Sequence, residues 1–206
     1  MKLKEQLETV EDFIAWKYDG KGDTLEKIFS NEIEKLGWEK TDTLYSFLGI
    51  YVIGLKAFYP DIFTCTKYMI KTDIGTNAYS NKYLRENFEQ FEELNTTKEL
   101  KEYVNNYHTI GNLIPIWPGG NVDRGVFSNC FDIPEIYFER HKRMARALVK
   151  VYKDAYMDDI IENKKRLNLD ELIKLSIEEY KRFLISIVDT IKFRNHKINE
   201  KLVSKT

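Results

Sequence analysis

Only two cysteines, Cys65 and Cys130, occur in 206 residues, and they lie far apart in the chain. That scarcity excludes a disulfide framework and points to a reducing compartment, so a cytoplasmic setting is expected. Histidine is also rare, with His108, His141 and His196 the full set of three. Neither they nor the cysteines form the close pairs of a structural zinc site, so no metal and no cofactor is expected. No sign of charge dominates: 32 Lys and Arg against 33 Asp and Glu leave a formal net charge of -1. A dedicated nucleic-acid binder carries a basic surplus, and this chain has none. There is no long hydrophobic run. The most apolar stretch, "LYSFLGIYVIGLKAFY" at 44–59, is short for a bilayer span and contains Lys56, which suits a buried core segment. No membrane contact is expected, and Met1 leads into Lys2, Lys4 and Glu5 without the apolar run of a secretory signal. The phosphate-loop pattern G-x-x-x-x-G-K-S/T, the dinucleotide pattern G-x-G-x-x-G and the zinc-protease pattern H-E-x-x-H are all absent.

What the chain does have is core-forming and helix-forming material. Hydrophobic residues make up 43% and charged residues 32%, a balance suited to a helical protein with a real core. The 13 Tyr and 12 Phe supply large packing surfaces. Leu3, Leu7, Val10, Phe13 and Ile14 recur at helical spacing. Asp23 with Glu26 spells a capping box for a helix with the stripe Leu25, Ile28, Phe29, Ile33 and Leu36, stopped by Gly37. Residues 43–58 read as a helix buried on every side, ended by Pro60; Tyr, Ile and Val leave a strand pair as the alternative. Residues 61–80 are ambiguous: "DIFTCTKYMI" at 61–70 fits strand or helix, and "KTDIGTNAYSN" at 71–81 reads as loop. Ser80 is a candidate cap for a helix carrying Tyr83, Leu84, Phe88, Phe91 and Leu94. Thr96 with Glu99 is expected to cap a short helix ending near Val104.

Downstream, Asp132 is placed to cap a long helix with Pro134 in its first turn. Its seam is Tyr137, His141, Met144, Leu148, Val151 and Ala155. A last helix is expected to open at Asn168 with Glu171, on the stripe Leu172, Ile173, Tyr180, Phe183, Leu184, Ile187, Val188 and Ile191. The two long helices should pair as an antiparallel hairpin turning near "ENKKRLN". The fold expected is mainly α and one domain: a helical body at 1–104, a motif segment at 105–131 and a helical hairpin at 132–206. An irregular, partly extended stretch at about 107–129 lies between body and hairpin.

That stretch, "NYHTIGNLIPIWPGGNVDRG" at 105–124, reads as a site. Pro115 forbids a regular helix, so "LIPIW" is extended, and "PGGNVDRG" is turn chemistry. Gly119 and Gly120 let backbone N–H groups approach a ligand closely. Arg124 offers a forked cation for phosphate or carboxylate. His108, Asn112 and Asn121 offer directional hydrogen bonds. A structural alternative uses the glycines only for turning, pairs Arg124 with Asp123 or Asp132, and has Asn112 fasten the loop to its own backbone. Arg143, Arg146, Lys150 and Lys153 form a basic stripe on the outward face of the first hairpin helix, a solvated face or an anion contact.

"HTIGNLIPI" followed by Asn121 resembles half of the motif of HNH-type nuclease modules at the C-terminus of modification-dependent restriction enzymes. That resemblance implies a strut role for Asn112 and a site role for Asn121. The module's base histidine, on an upstream strand, has no counterpart here, since no histidine precedes His108. The longer set Tyr107, His108, Thr109, Ile110, Gly111, Asn112, Pro115, Asn121, Arg124 and Gly125 is similar to that of a family of uncharacterised bacterial proteins, which implies no chemistry. The function expected is a non-catalytic binding or regulatory protein of bacterial or phage conflict systems. It would capture an anionic small molecule, a nucleotide or an acidic protein partner. A divergent metal-dependent phosphodiester hydrolase, with His108 as base, Arg124 on the transition state and Asp123 or Asp132 holding the metal, is the first alternative. An interaction module working through the helical hairpin is the second.

Overall fold

A computed structural model describes residues 7, 9–18, 25–61, 63–66, 69–72, 86–116, 133–134, 155–158, 160 and 169–206. Among these residues it is mainly helical, with two small antiparallel sheets and a long C-terminal helix. Helix α1 (Val10–Tyr18) is started by a reciprocal cap: the Asp12 N–H donates to Thr9 Oγ1 at 3.0 Å, and the Thr9 hydroxyl donates to Asp12 Oδ2 at 2.8 Å. Val10, Phe13 and Ile14, spaced three and four apart, are its buried face. The Leu25–Leu36 helix expected from its stripe is divided at Phe29 into α2 (Leu25–Ile28) and α3 (Ser30–Leu36). Gly37 ends it with φ 74; its N–H donates to Glu34 O, and the Trp38 N–H donates to Ile33 O. A left-handed residue closing those two bonds is what a glycine at this position permits.

Strand β1 (Thr41–Thr43) follows, then α4 (Phe47–Phe58). Nine of the twelve residues of α4 are buried, which places it at the centre and accounts for its apolar character all round. The helical reading of this run holds, although Thr43 belongs to the strand before it. Strand β2 (Phe63–Thr66), in the run open between strand and helix on sequence alone, pairs antiparallel with β3 (Met69–Thr72), which takes in Lys71 and Thr72 from the stretch expected as loop. A 3-10 turn, Phe88–Phe91, leads into α5 (Glu92–Asn95) and then α6 (Lys98–Tyr107). Three expectations change here. The helix expected to carry Phe88, Phe91 and Leu94 is divided into the 3-10 turn and the four-residue α5. Thr96 closes α5, its hydroxyl donating to Glu92 O at 2.8 Å, while Thr97 stands at the cap of α6. The helix also runs on to Tyr107 rather than stopping near Val104.

The expected extended segment is β4 (Leu113–Pro115). It pairs with β1 in the register Thr41 to Pro115, Asp42 to Ile114 and Thr43 to Leu113. Near the C-terminus the single helix expected to carry the stripe from Leu172 to Ile191 is interrupted after Leu172, and its first part is only α7 (Leu169–Leu172). The long helix α8 (Ile177–Val203) opens separately with a complete capping box between Ser176 and Glu179. At 27 residues it is about 40 Å long. Its expected stripe is buried from Tyr180 to Ile191 and packs on α4, α6 and the turn at Ile110–Asn112. The caps at Asp23, Ser80 and Asp132, most of the first hairpin helix and the "ENKKRLN" turn lie outside the described residues.

Candidate functional site

The motif segment is a change of direction. Helix α6 ends at Tyr107, the chain tightens through a 3-10 turn at Ile110–Asn112, and β4 leaves toward β1. The Thr109 hydroxyl donates to Asn106 O at 2.8 Å and the Asn112 N–H to Thr109 O at 2.9 Å, which closes the turn. At the other end the Ile116 N–H donates to Lys40 O at 3.1 Å, one step beyond the β1–β4 ladder.

Asn112 is 0% exposed and its side chain serves the backbone. Its Oδ1 accepts from the Tyr45 N–H at 3.0 Å; its Nδ2 donates to Tyr45 O at 3.4 Å and Tyr107 O at 3.3 Å. Its main-chain carbonyl accepts from the Leu44 N–H at 2.7 Å. The amide thus offers Tyr45 a donor and an acceptor, as a peptide of a neighbouring strand would. It extends the β1–β4 pairing past the point where the main chain turns away. Tyr103 adds a hydroxyl donating to Tyr45 O at 3.0 Å. A buried polar side chain is tolerated because it is hydrogen-bonded in this way.

His108 is 5% exposed and sits among rings. The Trp16 indole meets it edge-on with centroids 4.2 Å apart, Tyr107 does so at 5.2 Å, and Phe13 is tilted against it at 5.2 Å. The residue therefore joins the end of α6 to α1. His108 and Asn112 both turn inward, one to an aromatic pocket and the other to backbone groups at 45 and 107.

Two neighbours without a role in the sequence reading complete the joint. A Cβ on Gly111 would stand 2.6 Å from the Asn195 N and also strike Ile191 O, both backbone atoms of α8. Only glycine lets the turn approach that closely. Beside it, Arg194 is 0% exposed. Its Nη1 donates to Gly111 O, its Nη2 to Leu113 O at 2.5 Å and Ala155 O at 2.8 Å, and its Nε to Ala155 O at 2.9 Å. One guanidinium fork thereby holds the motif turn, the first residue of β4 and the chain at 155 against α8. The available signal was its position: Arg194 falls on the buried stripe between Ile191 and Ile198.

Gly119, Gly120, Asn121 and Arg124 lie outside the described residues, as do Asp123, Asp132, His141 and the basic stripe Arg143, Arg146, Lys150 and Lys153. His196 is exposed, with Nε2 3.1 Å from Glu200 Oε1. Among the described residues no group of three or more His, Cys, Asp or Glu is placed to hold a metal ion, and no helix is long and apolar enough to cross a membrane. Clefts lined by described residues include three beside the helices. One of about 610 Å³ lies between α1 and the Phe88–Thr96 region. One of about 390 Å³ lies between α6 and α8, and one of about 420 Å³ between α8 and Tyr156. His108 and Asn112 line none of these three. No family model, no curated protein and no solved structure matches the chain.

Proposed function

We propose that this chain is a non-catalytic binding protein that captures an anionic ligand on the loop following β4. The ligand class is a nucleotide or another phosphate-bearing molecule, with an acidic protein segment carrying the same charge. The observation that supports this reading most is the anchoring of the loop's root. Asn112 is bonded to backbone on both sides, Arg194 grips Gly111 and Leu113, and Ile116 is tied to Lys40. A binding loop works best when it leaves a rigid support. Within eight residues of Ile116 come Gly119, Gly120, Asn121 and Arg124. In this reading Gly119 and Gly120 turn backbone N–H groups toward the anion, Arg124 supplies the forked cation and Asn121 a directional hydrogen bond. His108 and Asn112, expected to touch the ligand, serve instead as supports of the loop.

The packing of His108 among three rings favours this role over that of a base acting on water. A setting in bacterial or phage conflict systems belongs to the same proposal and rests on the motif resemblance. A cytoplasmic one rests on the two widely separated cysteines. The test is a thermal-shift screen with ATP, GTP, cyclic mononucleotides and inorganic phosphate, repeated with Arg124→Ala. The proposal expects a ligand-dependent rise in melting temperature that Arg124→Ala removes, with every ligand recovered intact. Metal-dependent cleavage of a phosphodiester that disappears in His108→Ala would overturn it in favour of the hydrolase.

A further inference from the structure

The outer face of α8 carries a pattern that the loop does not use. Among the described residues three large hydrophobic side chains are exposed, Ile185 at 48%, Phe193 at 49% and Val203, and all three lie on this helix. Ile185 and Phe193 share the outward stripe with Arg182 and Asp189, both exposed. Among the described residues neither Arg182 nor Asp189 forms an ion pair, whereas Lys181, Lys192 and Lys197 each have one on or beside the same helix. Arg182 and Asp189 cannot meet each other, because seven residues of helix separate them by about 10 Å along the axis. The stripe also stands as a ridge between two grooves. On one side is the 420 Å³ cleft toward Tyr156 and Ile160, and on the other the 390 Å³ cleft toward Lys98, Glu99 and Glu102 of α6. Ile185 and Asp189 line both.

We propose that this face is the self-association surface of the chain, with two copies packed antiparallel along α8. The charge order selects a second copy as the occupant. Arg182 and Asp189 lie equally far on either side of the Ile185–Ser186 peptide. A two-fold axis through that point sets Arg182 of each copy against Asp189 of the other, so one self-complementary patch forms two ion pairs. The same axis brings the Ile185 side chains together at the centre. It also lays Phe193 across the Glu178–Arg182 turn of the second copy, where the guanidinium can stack on the ring. Each ridge then enters a groove beside the other, the ordinary manner of helix packing. The formal charge of -1 per chain opposes the pairing only weakly.

The proposal is independent of the ligand loop, and its test separates the two. Sedimentation equilibrium of the full chain, from roughly micromolar to millimolar protein, is compared for the wild type, Asp189→Arg, Ile185→Lys and the charge-swapped double variant Arg182→Asp with Asp189→Arg. All three substituted positions are exposed, and circular dichroism checks the helix content. The wild type is expected to be a monomer–dimer equilibrium. Asp189→Arg, which turns both ion pairs repulsive, should weaken it by roughly tenfold or more, and Ile185→Lys should do likewise. The double variant should return to within about threefold of the wild type, because the swap restores both pairs. A wild type that stays monomeric throughout, or a double variant no tighter than Asp189→Arg, overturns the proposal. Arg124→Ala should leave the dimer unchanged, so a failed ligand screen and a failed dimer give different results.

Discussion

Replacing Gly111 with alanine adds one methyl group at the place where the motif turn touches α8. That methyl would lie 2.6 Å from the Asn195 N and 2.7 Å from the Asn195 Cβ, and would also strike Ile191 O. Two of the three are main-chain atoms of a 27-residue helix packed along its length, so they cannot yield alone. The turn and the helix must part. Overpacking of this kind costs about 1–3 kcal/mol. Parting them also loosens the Arg194 bond to Gly111 O, a charge-assisted bond worth about 1.5–3 kcal/mol. The lower entropy of an unfolded chain with alanine returns about 0.4–1 kcal/mol. The expected net loss is about 2–5 kcal/mol, a large share of the roughly 5–15 kcal/mol that holds a domain together. Urea unfolding followed by circular dichroism measures it as a fall in midpoint at unchanged slope. Gly37→Ala is the comparison: φ is 74 there but nothing lies within 4 Å, so only backbone strain of roughly 1 kcal/mol is expected. If Gly111→Ala unfolds within ~0.5 kcal/mol of the wild type, the close approach does not constrain the fold as argued.

Arg194→Leu removes the donor for three buried carbonyls, at 111, 113 and 155, and should destabilise by at least ~3 kcal/mol in the same assay. Arg194→Lys keeps the charge but not the fork and should fall between; a leucine variant as stable as the wild type would refute the clamp. Ser176→Ala removes the hydroxyl of the capping box and should cost about 1 kcal/mol, read from the same unfolding curves. The Ser176 backbone N–H, and then its hydroxyl, hold the Glu179 carboxyl below the usual glutamate range. A lowered folded value stabilises the protein above the ordinary value and loses that stabilisation as pH falls through the lowered one. The wild type's advantage over Glu179→Gln should therefore be full at neutral pH and vanish in acid. An advantage that survives below the carboxylate range would contradict this.

The parts of the fold legible in the sequence are those written locally. Gly37 announces its left-handed cap, Pro115 forces an extended segment, and the Tyr180–Ile191 spacing gives the buried stripe of α8. Local signals misled where two competed. Both Asn168 with Glu171 and Ser176 with Glu179 spell a helix start, and only the second is joined to the long stripe. The 61–70 run fits strand or helix, and Lys71 and Thr72 read as loop, because antiparallel pairing is a property of two segments together. At the candidate site, Asn112 could be read either as a ligand contact or as a fastener. What makes it a fastener is Tyr45, 67 residues away, which no local pattern identifies. Arg194 went unnoticed because arginine on a helix ordinarily faces water, and its acceptors lie about eighty and forty residues upstream. The aromatic pocket of His108 is likewise built by α1, from the far end of the chain.

The segment from Tyr107 to Ile116 is a fixed joint of the framework. Native-state amide hydrogen exchange at Leu44, Tyr45 and Ile116 tests it most directly, since their N–H groups bond to Asn112 O, Asn112 Oδ1 and Lys40 O. All three are expected to exchange only through global unfolding, with the same free energy and denaturant dependence as the core of α4. Exchange of these amides at a much lower free energy, insensitive to denaturant, would mean that the joint opens by itself, and the account would be wrong.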